Sequence, residues 1–338
     1  SYDESFHGLA SRGGSQQVAN CASCHGVHNI LPSSDPDSYT HTDNLAHTCG
    51  NCHPGAGTRF TIGPVHVLAK DTPNVVAHWI RAIYIPLIWV TVIGMLLHNM
   101  LDLVKKTRTY SLWRRRAPEQ CVIRERMSLP FRLTHALAAI SFVVLVITGF
   151  ALKYPESWWA APLQAWDNEF RGIVHRIAAV GLMGACVLHF IHLIVSSRAR
   201  GQMASFLPKT ADFREFAHRI SYNLGRRDEP PAPVRVGYVE KVEYWAALWG
   251  TFVTAVTGLI LWFENFTLTW LPGWVPEAAT VLHFLEAILA TLAILIWHFY
   301  SVMLDPAVYP MDMTWLTGKP PFSRAEERGE VIHEDQPE

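Results

Sequence analysis

Cys21, Cys24 and His25 form one C-x-x-C-H motif, and Cys49, Cys52 and His53 form a second. Two thiols at this spacing can hold a haem through thioethers, and the histidine that follows supplies an axial nitrogen. Both motifs fall within a segment too poor in apolar residues to build its own core, so the haems themselves would be the core. A zinc-binding loop is the alternative use of the same residues. His7, His28, His41, His47 and His66 are the candidates for the second axial positions.

A different kind of histidine lies in the apolar stretch at residues 280–303, which is long enough to cross a bilayer. It carries His283 and His298. At about 1.5 Å of rise per residue they are roughly 22 Å apart along an α-helix, and steps of about 100° return them to nearly the same face. One histidine would sit near each membrane surface, a spacing suited to two stacked haems. Ionisable groups inside a membrane are costly and usually functional.

The elements that would position these groups follow from composition and charge. The 338 residues are 50% hydrophobic and only 17% charged, with 13 Trp and 17 His. That balance points to a membrane protein. A net charge of −1 offers nothing to nucleic acid. Residues 1–72 are polar and rich in Gly, Ser and Pro. Such haem-attachment motifs are matured outside the cytoplasm, so a leader has been removed or the N-terminus is incomplete, and two c haems is a minimum. Cys121, in a basic loop, and Cys186, in an apolar helix, are not expected to pair.

Apolar runs predict five spans, at about 78–103, 131–152, 172–196, 244–263 and 280–303. The connections at 104–126 and 198–241 are strongly basic, and the one at 153–171 is rich in Trp. The positive-inside rule then places the N-terminal segment outside and the C-terminus in the cytoplasm. On this topology His175 and His283 share the outer end and are expected to hold one b haem. His298, at the inner end, needs a partner, and His135, His189 and His192 compete. The spacing of His175 and His189 favours His189; periodicity alone does not decide.

From Arg132 to Met303 the chain resembles the cytochrome b (gamma) subunit of respiratory formate dehydrogenase. The resemblance is carried by Arg132, Leu133, Thr134 and His135, which open a span closed by Ile147, Thr148, Gly149 and Phe150. Gly172 to His175, Tyr222 to Gly225, Val256 to Trp262, Leu282 with His283, and Ile296 to His298 continue it. It implies that His135 and His298 hold the inner haem and that a quinone binds beside it at Asn223 and Gly225. The formate dehydrogenase pattern has Gln after this Gly, where Arg226 stands here. Gly149 and Gly258 would give clearance to a macrocycle. Residues 1–70 resemble the multihaem c-type cytochromes, where S-x-H-G and C-x-x-C-H-x-x-H recur; this implies His7 and His28 as distal ligands, with His66 a third candidate. The whole chain looks like the fused c-and-b cytochromes of anaerobic electron-transfer chains.

The expected protein is an all-α integral membrane protein of a bacterial inner membrane, with five transmembrane helices. A periplasmic dihaem c domain (1–72) would precede a connecting helix (73–104), a four-helix dihaem cytochrome b domain (127–305) and a cytoplasmic tail (306–338). Electrons would pass between two or more c haems, two b haems and a quinone, either menaquinone or ubiquinone. The chain would serve a quinone-linked oxidoreductase as a component, in contact with lipid and with periplasmic redox proteins or enzyme subunits in a multisubunit complex. Rival readings are a membrane anchor for a periplasmic dehydrogenase, reductase or hydrogenase, a haem wire without quinone, and a histidine-rich receptor or transport bundle.

Overall fold

The computed structural model describes residues 2, 5–12, 18–53, 56–57, 61, 74–108, 121–123, 125–154, 157–164, 168–232, 234–327 and 331–333. Five helices among them are long and apolar enough to cross a membrane. They are Val75–Arg108, Leu129–Lys153, Asn168–Val195, Tyr238–Trp262 and the run from Trp274 to Leu304. Their outer surfaces are apolar: Val90 is 72% exposed and Ile194 74% exposed. Large aliphatic side chains so displayed along every span suit a hydrocarbon solvent, where an α-helix satisfies its own backbone.

The spans begin and end close to where the hydropathy places them, with two departures. The first has 34 residues, or about 51 Å at helical rise, more than the roughly 30 Å of a hydrocarbon core. Its last turns, with Lys105, Lys106 and Arg108, therefore continue past the apolar zone. The fifth is not a uniform α-helix. After Trp274–Ala293 it widens into π-helical turns at Ile294–His298 and Tyr300–Leu304, and the Asp305 amide donates to the Tyr300 carbonyl at 2.9 Å. The expectation of regular α steps from His283 to His298 is corrected by these turns. Wider turns of this kind collect at functional sites.

The chain divides into two compact units whose boundaries fall inside the spans. The first comprises Ser1–Tyr84, Phe142–Val180 and Val253–Glu286; the second comprises Ile85–Ser141, Gly181–Phe252 and Ala287–Glu338. In the first unit the N-terminal segment holds three short helices, Phe6–Arg12, Cys21–His25 and Leu45–Gly50. The helix of the first cysteine motif starts at a reciprocal cap: Asn20 Oδ1 accepts from the Ser23 amide at 3.1 Å and Ser23 Oγ accepts from the Asn20 amide at 3.2 Å. Asn74 opens the first span by accepting from the Ala77 amide, and its Nδ2 donates to the Trp274 carbonyl at 2.9 Å and to Glu277 at 3.1 Å. One amide thus ties the entry of the first span to that of the fifth.

The second unit has more structure than a basic connection requires. Residues 198–241 contain the helices Ser197–Ala204 and Thr210–Asn223. Cys121–Ile123 and Val331–His333 pair as a short antiparallel ladder, a small exception to the all-helical expectation. A buried charge cluster fastens the first span to the end of the fifth. Lys106 Nζ lies 2.7 Å from Asp305 Oδ2 and 3.0 Å from Asp102 Oδ2. Arg324 reaches Asp305 at 3.3 Å, and the Tyr300 hydroxyl donates to Asp102 at 2.8 Å.

Candidate functional site: the paired histidines

In the first unit His175 and His283 interact electrostatically and are held by matching devices. Thr148 Oγ1 lies 2.7 Å from the Val144 carbonyl and 2.8 Å from His175 Nδ1. A carbonyl only accepts, so the single hydroxyl hydrogen goes to Val144 and the oxygen accepts from the imidazole. His175 therefore carries its hydrogen on Nδ1, and Nε2 keeps its lone pair. Thr257 repeats the arrangement, at 2.7 Å from the Val253 carbonyl and 2.9 Å from His283 Nδ1. The glycine after each threonine lets the ring lie against the helix. A Cβ on Gly149 would sit 3.4 Å from His175 Cε1, and one on Gly258 3.3 Å from His283 Cε1. These glycines thus make room for the imidazoles. Arg171 Nη1 donates to the Thr148 carbonyl at 3.3 Å. Glu286 is buried and bonded to Tyr84, and Arg176 lies over the Trp262 ring.

In the second unit His135 and His298 face one another with ring centroids 6.3 Å apart and planes at 47°. Two metal–nitrogen bonds of about 2 Å, with about 1.1 Å from each nitrogen to its ring centre, add to roughly 6.2 Å. The pair is thus spaced for a six-coordinate iron between them. His298 Nδ1 is 3.7 Å from Glu243 Oε2, and the buried Nδ1 of His135 has no hydrogen-bond partner among the described residues. The competing histidines turn elsewhere: His189 Nε2 lies 3.0 Å from the Tyr244 hydroxyl, and His192 meets the Phe131 ring edge-on at 4.8 Å.

The two cysteine motifs come together in the first unit. Burial raises the Cys24 and Cys49 thiols above their usual range, and sulfurs of both motifs add to the effect. His7 and His53 have ring centroids 6.1 Å apart, the spacing found for His135 and His298. His28 is exposed, and His66 lies outside the described residues. Burial raises the Glu264 carboxyl, and the charge of His53 opposes this rise. That places the second motif beside the short helix Glu264–Trp270.

Asn223 ends the helix Thr210–Asn223. Its Nδ2 donates to Asp102 Oδ1 at 3.4 Å, while its buried Oδ1 has no hydrogen-bond partner among the described residues. Gly225 has a φ of +73°, and the Arg226 amide closes back on the Ser221 carbonyl at 2.9 Å. This is a left-handed helix stop, which favours glycine. It accounts for Gly225 by backbone geometry.

Residues 126–310, more than half of the chain, match the model of the prokaryotic cytochrome b561 family. The chain belongs to this family. It is an integral membrane electron-transfer cytochrome of the b type, and both histidine pairs lie in the matched region. The C-x-x-C-H motifs and the first span precede it. No curated protein matches the chain.

Sequence reasoning missed Thr148 and Thr257 as partners of the histidines. The signal was present: a Thr-Gly pair precedes each histidine by nearly the same interval, 27 and 26 residues. It also missed Glu243 beside His298. His98, which with His78 marks the ends of the first apolar run and has a structural or a haem- or quinone-contacting role as its alternatives, is buried and hydrogen-bonded to Tyr238 at 2.5 Å.

Proposed function

We propose that this cytochrome passes electrons between periplasmic c haems and the membrane quinone pool through two b haems. His175 with His283, and His135 with His298, would hold the b haems. The c haems would be attached at Cys21 and Cys24 with His25, and at Cys49 and Cys52 with His53, with His7 beside the latter. The observation that carries this reading is the facing of His135 and His298 at 6.3 Å. Thr148 and Thr257 add to it by leaving Nε2 of His175 and His283 as the free, lone-pair nitrogen.

Haem supplies one-electron chemistry, and axial ligands, second-shell hydrogen bonds and burial set its potential. The residues of this chain do the rest. A b haem held by two histidines would be suited to electron transfer rather than to binding of oxygen. The threonines fix tautomer and ring orientation, which strengthens an imidazole as a ligand. Glu243 brings negative charge to one histidine of its pair and none to the other. The second cysteine motif lies next to Glu264, just after the fourth span, and would be the c site that exchanges electrons with the b haems. The basic connections support a reading with the N-terminal segment in the periplasm of a bacterial inner membrane. Asn223, through Asp102, borders the region where the quinone binds.

The test is anaerobic reduction of the purified protein by a menaquinol analogue, followed in the separate b and c α-bands. Quinol should reduce the b haems first and the c haems after them. His298→Ala should remove one b signal and stop quinol from reaching the c haems. If dithionite reduces every haem and quinol reduces none, the quinone reading is wrong and the chain is a wire or anchor for a partner.

A further inference from the structure

The first span contributes a histidine that the proposed haem sites do not use. His98 is buried at 9% exposure. Its ring stacks on Trp297 at 4.7 Å and faces Phe216 at 6.4 Å with an interplanar angle of 11°. Its two nitrogens have different partners, and the tautomer follows from them. Asn99 Nδ2 donates to the Ile296 carbonyl at 2.7 Å, which turns Asn99 Oδ1 towards His98 Nδ1 at 3.2 Å. An amide oxygen only accepts, so Nδ1 carries the hydrogen and Nε2 has a lone pair. The Tyr238 hydroxyl, 2.5 Å away, therefore donates to Nε2. Its only hydrogen is then committed, and Oη has acceptor capacity alone.

Tyr238 and His98 line a cavity with Trp297, Asp102, Lys106 and Val234. Around it, Lys106 pairs with Asp102 and Asp305, and Arg324 with Asp305; Glu215, Arg219 and Glu240 line it as well. The aromatic wall suits a planar ring, and the neutral acceptor at Tyr238 suits a hydroxyl on that ring. At this one position a carbonyl oxygen is poorly suited, because Tyr238 has no hydrogen to give it.

We propose that the Tyr238–His98 pair accepts a hydrogen bond from a hydroquinone hydroxyl, so that this wall of the cavity takes a hydroxyl of the reduced headgroup rather than a quinone carbonyl. The inference rests on the quinone-linked reading above. His98 and Asn99 lie outside the stretch that matches the family, and Tyr238 and Trp297 lie within it.

The test uses oxidised, detergent-solubilised holoprotein and two redox-inert probes, a tailed hydroxynaphthalene and its methyl ether, with binding read by calorimetry. The hydroxyl probe should bind about fivefold tighter, the worth of one neutral hydrogen bond. Tyr238→Phe should shrink that ratio, and Tyr238→Phe combined with His98→Leu should bring it to about one, with the b α-bands unchanged as the check on folding. If the wild type binds both probes equally, or if Tyr238→Phe keeps the full ratio, the pair is not the acceptor, although the quinone reading stands. If neither probe binds, the quinone reading fails and this inference fails with it.

Discussion

Replacing Thr148 by Val isolates the hydroxyl that holds His175. The side chains have nearly the same shape, so packing against Gly149 and the ring is kept. What is lost is the acceptor for His175 Nδ1–H, 2.8 Å away, on a threonine that is only 2% exposed. A net hydrogen bond is worth about 1 kcal/mol. Bonding at Nδ1 makes the imidazole a stronger donor to a metal, and a stronger donor favours the oxidised iron. If the whole of that energy is felt by the oxidised state, its loss raises the potential of one b haem by about 40 mV, since about 59 mV corresponds to tenfold for one electron. A redox titration of the purified protein in the b α-band reads this directly. One of the two b components should move up by about 40 mV while the other stays, and Thr148→Ser should restore it. Thr257→Val should move the same component in the same direction. If both b components of a fully loaded Thr148→Val protein titrate as in the wild type, the hydroxyl does not govern the ligand, and the tautomer argument is wrong.

Haem content separates the histidines: His298→Ala should lose one of two non-covalent haems by the pyridine haemochrome assay, whereas His189→Ala should keep both. A low-spin to high-spin change in the c Soret band is expected for His7→Ala, with covalent haem stain retained after denaturing electrophoresis. Lys106→Met should cost about 3–5 kcal/mol, because it strips Asp102 and Asp305 of their shared cation; a lower thermal midpoint would show it. Burial pushes the Asp305 carboxyl up, yet Lys106 and Arg324 outweigh it and hold the carboxyl below the usual 3.8. A depressed folded value means stability that is complete above pH 3.8 and lost as pH falls through it, so Asp305→Asn should flatten the acid limb of the melting profile.

The five spans were legible because a bilayer demands about 20 apolar residues and little else competes with that signal. The ends were harder, since the first span continues as a charged helix whose Lys106 is buried by partners from Asp102 and the distant Asp305. The π turns before His298 had no sequence mark: Ile294, Leu295 and Ile296 are equally at home in an α-helix. His135 was favoured over His189 only by resemblance, because helical periodicity leaves each able to face a bundle interior. What separates them is tertiary, the Tyr244 hydroxyl that engages His189. Gly225 was read as a ligand contact, and its positive φ gives it a backbone reason to be glycine.

The duplicated Thr-Gly device bears on how the protein is assembled. Each histidine of the His175–His283 pair is aligned by the span just before it in the chain, Leu129–Lys153 for one and Tyr238–Trp262 for the other. Each helical hairpin can therefore set its own imidazole as it leaves the insertion machinery, without waiting for the other hairpin. A haem held by this pair, as proposed, would then be the last component to arrive, captured between two halves already in their final tautomers. Biogenesis of this centre would be limited by the meeting of two finished hairpins, with little rearrangement left for the moment of capture.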